Sequence, residues 1–270
     1  PDWPNLKNWV SRRRLCKTYE HYGTLCDCDN PYNLTRRRQV VPPHLRRAVV
    51  VMLVSRGPEL MRSLTALFNA DGFPSSRFLM FTDSKNEELF LLSESLDLPL
   101  VTANISEKFI VNTVTQLYGF IIKFVFKNFK DADYVIFLED DVEVARDFFT
   151  YLNYTAPLLA SDPTLYCVSA HNDLSYVHTS FDPTILYRTE SYPNYGWMAT
   201  VEFLWAMLKF IDGNRNNTYD WDIAIHLTIR GDRECIIPEV SRSFHFGSSG
   251  MHMTQYEYHL IESRQRLNKV

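Results

Sequence analysis

Between Ala48 and Ala170 the chain alternates short apolar runs with longer stretches of helical periodicity, and this alternation constrains the fold more than any other feature. Ala48–Val54 (AVVVMLV) is apolar throughout and of strand length, the pattern of a strand covered on both faces of a parallel sheet. Pro58 suits the first turn of the helix that follows. Leu60, Met61, Leu64, Leu67 and Phe68 then recur at helical spacing, and Gly72 suits its stop. Arg77–Phe81, Leu98–Val101, Tyr134–Leu138 and Leu165–Ala170 repeat the strand pattern, with helical stretches over 86–96, 111–128 and 147–159 between or beside them. Such a series predicts an α/β fold with a doubly wound, mostly parallel sheet. Ligands of these sheets gather beyond the carboxyl ends of the strands. Arg56, Asp83 and Glu139-Asp140-Asp141 all fall there.

The flanks read differently. Residues 1–47 form a basic, irregular arm with Arg12-Arg13-Arg14, Arg36-Arg37-Arg38, Arg46-Arg47 and three of the cysteines, read as solvated and stapled by a disulfide. Residues 48–170 hold the sheet pattern. From 171 to 270 loops and aromatic residues dominate, among them Tyr187, Tyr192, Tyr195, Trp197, Trp205, Tyr219 and Trp221, and predict a mixed second half packed on the first.

With 32 acidic against 28 basic side chains the formal charge is −4, which speaks against nucleic acid as a partner. No apolar run approaches the roughly 20 residues that span a bilayer, and no signal peptide opens the chain. Pro1 reads as a trimmed boundary. The expectation is therefore the soluble part of an anchored protein, touching membrane only through a segment absent from this chain. Cys16, Cys26, Cys28, Cys167 and Cys235 have no zinc spacing. Together with Asn-x-Ser/Thr triplets at Asn33, Asn104, Asn153 and Asn216 they favour an oxidising lumen.

Several chemistries lack their motifs. There is no Gly-rich dinucleotide turn and no P-loop, and Phe246-Gly247-Ser248-Ser249-Gly250 has the wrong spacing for a nucleophile elbow. His245, His252 and His259 recur every seven residues without a metalloprotease pattern and read as loop and surface histidines. The acidic strand end survives. Hard oxygen ligands there suit Mg²⁺ or Mn²⁺ shared with a substrate's phosphates, where the cation would neutralise charge on a departing diphosphate. A general base is also needed. Asp220 and Asp222, set among aromatics in Tyr219-Asp220-Trp221-Asp222, both qualify, and either could instead cap a helix.

From about Ala48 to Leu260 the chain resembles the inverting β-1,2-N-acetylglucosaminyltransferases that act on mannose. The resemblance rests on Phe137-Leu138-Glu139-Asp140-Asp141-Val142-Glu143-Val144-Ala145 with Asp147-Phe148-Phe149, then Leu165-Tyr166-Cys167-Val168-Ser169-Ala170 with Asn172-Asp173. Leu186-Tyr187-Arg188-Thr189, Gly196-Trp197, Asp220-Trp221-Asp222 and Arg233–Ser243 follow in order. The arm from Arg12 to Cys28, and Glu234-Cys235-Ile236-Ile237-Pro238, are similar to the branch that acts on O-linked mannose.

The resemblance implies a GT-A glycosyltransferase fold, UDP-GlcNAc as donor, Mn²⁺ as cofactor, a mannose-terminated glycoprotein as acceptor (O-mannosyl before N-glycan core) and a Golgi lumen setting. It makes 1–47 a stem junction, 48–170 the nucleotide-sugar half and 171–270 the acceptor half. Carried over, Asp141 becomes the metal ligand, and Glu139 and Asp140 lie at the sugar and ribose. Arg56 and Asp83 grip the nucleotide, Met251 and His252 lie on a loop closing over the donor, and Asp222 is the catalytic base. Cys167 and Cys235 match a family disulfide joining the halves. Two departures stand out: Leu117 precedes Tyr118 where the relatives carry His, and Ile223-Ala224-Ile225-His226 lacks the family's Trp and Arg. The chain also stops soon after the closing loop. These departures leave a second reading, a catalytically decayed sugar- or nucleotide-binding relative of the same fold.

Overall fold

In a computed structural model of the chain, residues 8–27, 29, 34, 40–105, 113–191, 195–214, 220–248 and 254–269 are described. The strands are β1 (Val49–Leu53), β2 (Phe78–Thr82), β3 (Leu100–Thr102), β4 (Tyr134–Glu139), β5 (Val142–Val144), β6 (Leu165–Ser169), β7 (Leu186–Thr189), β8 (Trp197–Thr200), β9 (Glu234–Pro238) and β10 (Ser243–His245). The helices are α1 (Trp9–Thr18), α2 (Gly57–Asn69), α3 (Glu87–Leu96), α4 (Thr113–Asn128), α5 (Phe148–Ser161), α6 (Val201–Gly213), α7 (Trp221–Ala224) and α8 (Gln255–Leu260).

Eight strands form one sheet in the order β3-β2-β1-β4-β8-β6-β9-β7. The first four run parallel, as the alternation predicts. The hydrophobic pattern explains the layering. Val50, Met52 and Val54 face the core beneath α2, α3 and α5, whereas Val49, Val51 and Leu53 face the core beneath α4 and α6. An unbroken apolar run is what a strand needs when helices cover both of its faces. Helix starts follow their local chemistry: Pro58 lies in the first turn of α2, and the Asn86 side chain accepts from Glu88 N at the start of α3.

Two expectations change. First, the arm is not irregular over 8–27. Its helix α1 docks on α3, where Ser11 Oγ donates to Glu94 (2.6 Å), Tyr22 Oη donates to Glu88 (2.9 Å) and Arg14 pairs with Glu87. Leu15, Tyr22 and Leu25 are buried in the core, and Cys16 is bonded to Cys26. The arginines hid this helix because its buried face is narrow and its partners lie 66 to 83 residues away. Second, the region beyond 170 supplies α6 and three strands of the main sheet, with β8 inserted antiparallel between β4 and β6. Asp147 takes the N-cap position of α5 without a side-chain cap bond, and its carboxylate accepts from Arg242 (3.2 Å) and Asn268 (2.8 Å). Cys167 and Cys235 are bonded across the paired strands β6 and β9. Beside the main sheet, β5 pairs antiparallel with β10 in a small second sheet, in register Val142↔His245. No described helix is long and apolar enough to cross a membrane.

Candidate active site

The strand ends meet as the sequence predicts. In the β1–β4 pairing Leu53 lies opposite Glu139, so the turn after β1 runs beside the acidic triplet. Asp140 holds that turn. One of its carboxylate oxygens accepts from the backbone N–H groups of Ser55 and Arg56 (2.7 Å for Arg56) and from Ser55 Oγ (3.0 Å). Ser63 Oγ of α2 donates to the Asp140 carbonyl at 2.7 Å. The Arg56 guanidinium reaches Glu59 at 3.7 Å. Asp83 is exposed just beyond β2, on the same edge of the sheet.

The small sheet brings His245 to Asp141. Its Nε2 lies 3.2 Å from Asp141 Oδ2, while Asp141 Oδ1 is buried with no hydrogen-bond partner among the described residues. Gly247 also abuts this carboxylate: a Cβ there would stand 2.3 Å from Asp141 Oδ2 and would displace the Asp141 side chain. Tyr195 stacks on the His245 ring at 4.3 Å between centroids. These residues escaped the sequence reading; His245 is buried in a strand, not a surface loop, and only the alternation in Ser243-Phe244-His245 hinted at it.

Charge is concentrated here. Burial pushes Glu139 up to about 8, helped by repulsion from Asp141 and Asp140. Burial and Asp141 likewise push Asp140 up to about 6 against its hydrogen bonds. Burial alone lowers His245, but its bond to Asp141 and the charges of Asp141, Glu262 and Glu139 raise it overall. Two carboxylates strained in this way, beside a third whose Oδ1 is buried without a hydrogen-bond partner among the described residues, fit a divalent cation. Asp141 would hold it. Among the described residues no three His, Cys, Asp or Glu side chains form a ready cage, so a ligand's oxygens and water would complete the shell, as is usual for small hard cations on phosphates.

Asp222 lies in α7, where its Oδ1 accepts from Ile223 N at 2.7 Å, and Asp220 takes the N-cap position without a side-chain cap bond. Aromatic stacking ties this helix to the acidic edge. Trp221 stacks on Tyr118 of α4 (4.2 Å) and on Trp197 of β8 (5.6 Å), and Trp197 stacks on Phe137 of β4 (4.7 Å). The charge of Asp222 is felt at Glu139 and at Tyr118. Leu117, one residue before Tyr118, is buried among apolar neighbours on the α4 side of the sheet. Met251 and His252 lie outside the described residues, as do Cys28, Tyr192 and Tyr219.

The sheet is wrapped on both faces and carries an acidic strand end at its switch from parallel to antiparallel order, an architecture it shares with glycosyltransferases of the GT-A fold. The structure is similar to that of GalNAc-T7 with UDP, GalNAc and Mn²⁺, at TM-score 0.50 and 13% identity, covering 73% of this chain and 43% of that one. The GNT-I family pattern matches residues 93–269, and the chain belongs to that family. A relative named alpha-1,3-mannosyl-glycoprotein 2-beta-N-acetylglucosaminyltransferase, from Arabidopsis thaliana, is 29% identical over 228 residues. The match covers 80% of this chain and 50% of the relative, so the chain spans about half the length of that curated protein. Asp141 and Asp222 fall inside the family match; Arg56 and Asp83 precede it.

Proposed function

We propose that the protein transfers GlcNAc from UDP-GlcNAc to the 2-hydroxyl of a mannose on a glycoprotein, with inversion at the anomeric carbon. The observation that carries this reading is the juxtaposition of two carboxylate sites. Asp141 has a bare buried oxygen at the strand end, and Asp222 is tethered to the same edge through the stack from Trp221 through Trp197 to Phe137. Family membership and the name of the plant relative support the choice of sugars.

Asp222 takes the proton from the mannose hydroxyl as that oxygen bonds to the anomeric carbon. The bond to the UDP oxygen breaks, and its electron pair departs with the nucleotide. A hydroxyl is a poor nucleophile near neutral pH, so a positioned base is required. Mn²⁺ at Asp141 would supply charge neutralisation for the diphosphate. Arg56 and Asp83 hold the nucleotide, and Glu139 and Asp140 flank the donor. Residues 48–170 form the donor half and 171–270 the acceptor half, with the arm as a stem junction. The two disulfides support an oxidising compartment, for which the Golgi lumen is the proposal. Among acceptors, mannose linked to Ser or Thr stands first on the resemblance of the arm. UDP-GlcNAc turnover with and without Mn²⁺, on O-mannosyl peptide and oligomannose in parallel, tests the reading; no metal-dependent transfer to either acceptor overturns it.

A further inference from the structure

The arm ahead of the sheet reaches the reaction edge, and the scheme above gives that contact no task. Tyr22 is 3% exposed, and its Oη donates to Glu88 Oε1 at 2.9 Å in the first turn of α3. The same oxygen lies against Gly57, the first residue of α2. A Cβ on Gly57 would stand 1.8 Å from Tyr22 Oη and 3.1 Å from the Glu88 carboxylate, so a methyl group there would displace this hydroxyl. One buried hydroxyl therefore bridges the starts of two helices. Gly57 directly follows Arg56, and α3 opens at Glu87, shortly after Asp83.

Each helix start is also anchored to its own strand. Asp140 holds the turn after β1 by accepting from the backbone N–H groups of Ser55 and Arg56. Thr82 holds the turn after β2, where its Oγ1 accepts from Ser84 N at 3.2 Å. Tyr22 and Glu88 add a link from one turn to the other.

The arm fixes the phenol from behind. Cys16 and Cys26, which flank Tyr22 in sequence, are bonded to each other, and Cys26 N donates to the Tyr22 carbonyl at 2.8 Å. Leu15 and Leu25 are fully buried in the same core cluster as Tyr22. Arg14 pairs with Glu87, beside Glu88 in the first turn of α3. At the opposite end of α3 the arm makes a second set of contacts: Ser11 Oγ donates to the Glu94 carboxylate and Asn8 Nδ2 to the Glu94 carbonyl, both at 2.6 Å. Those contacts dock the arm without touching the strand ends.

The geometry points to Tyr22 as a positioning residue of the donor edge. By bridging Gly57 and Glu88 it sets the spacing between the turn that carries Arg56 and the loop that carries Asp83, and the arm becomes part of the nucleotide-binding apparatus. This rests on the donor reading above, in which Arg56 and Asp83 hold the nucleotide, and adds to it an element from outside the sheet. Tyr22 acts through the two turns and not on the nucleotide itself. A site whose turns are correctly spaced only part of the time binds its ligand in proportion to that fraction.

The test compares Tyr22→Phe, which keeps the ring and removes only Oη, with Ser11→Ala, which removes a hydrogen bond between the arm and the far end of α3. Three quantities are measured on wild type and both variants: UDP affinity in the presence of Mn²⁺ by calorimetry, kcat and KM for UDP-GlcNAc, and deuterium exchange at the Ser55 and Arg56 amides of ligand-free protein. In Tyr22→Phe, UDP affinity should fall several-fold, at most about tenfold, the contribution of one hydrogen bond. KM for UDP-GlcNAc rises to match, kcat is nearly unchanged because Asp222 is untouched, and both amides exchange faster. Ser11→Ala lowers Tm comparably and leaves affinity and exchange as in wild type. Unchanged affinity or unchanged exchange in Tyr22→Phe overturns the positioning role, and so does an equal loss of affinity in the two variants. If wild type binds no UDP, the donor reading fails, and exchange alone then decides the role of Tyr22. Faster exchange at Ser55 and Arg56 in Tyr22→Phe but not in Ser11→Ala upholds it, and any other pattern overturns it.

Discussion

Asp222 and Asp220 stand two positions apart with different surroundings. Asp220 sits at the N-cap of α7, whereas Asp222 is in the first turn beside Trp221, whose ring is packed against Tyr118 and Trp197. An amide at 222 keeps the shape but has negligible basicity. Asp222→Asn is therefore expected to lower kcat by about 10²–10⁴, with UDP-GlcNAc affinity unchanged, because the proposed scheme places the donor at the strand ends and not at Asp222. Asp220→Asn should be much milder. Initial transfer rates and donor calorimetry on the same preparations check this, and the reverse order of the two variants would reassign the base. Leu117 poses the opposite problem. The relatives' His at this position would be polar, but here the side chain is 6% exposed in an apolar cluster with Tyr118, Ile121 and Phe137. Leu117→His should cost about 1–3 kcal/mol as an unpartnered buried polar group, with no gain in donor affinity. A melting curve beside a donor titration decides; tighter donor binding without loss of stability would refute it.

At the scale of elements, the end of β4 carries more negative charge than its burial tolerates. Glu139 has a folded-state pKa of about 8 against an ordinary 4.5, so the native state holds its proton more tightly than the unfolded chain does. The sign follows by linkage: in metal-free protein this group favours folding below about pH 4.5, and that contribution is lost as pH rises towards 8. Glu139→Gln in the presence of chelator should therefore raise stability at pH 8, by about 1–3 kcal/mol after allowance for relaxation around a buried charge. At pH 5 it should change little. Melts of both proteins at the two pH values measure the difference, and a gain that is larger at pH 5 would contradict the cause assigned. The β5–β10 pair belongs to this scale too, because it delivers His245 and Gly247 to Asp141 across about a hundred residues of chain.

The whole molecule is knit across its middle. Strands from before and after residue 170 alternate in one sheet, and Cys167–Cys235 closes 68 residues of sequence between β6 and β9. Replacing both cysteines with alanine should cost about 2–4 kcal/mol, chiefly through the freedom returned to the unfolded chain, and lower Tm by roughly 5–15 °C. Calorimetric melting under non-reducing conditions measures it, and an unchanged Tm would show that the sheet pairing alone suffices. Apart from β5, which the sequence reading did not foresee, the strands and helices from 48 to 170 were legible because both of their defining signals are local: apolar runs of strand length for β1 and β4, and 3.6-residue periodicity for α2. The acidic cluster was legible for the same reason, as its three carboxylates are consecutive. By itself, then, the sequence determined the parallel half of the sheet, the strand end that carries Asp141 and the candidacy of both Asp220 and Asp222. Only the tertiary structure decided that α1 docks, that β8 enters the sheet antiparallel, and that His245 and Gly247 enclose Asp141. Each of these depends on residues brought together from distant parts of the chain, and pairing of that kind leaves no periodic trace in either partner.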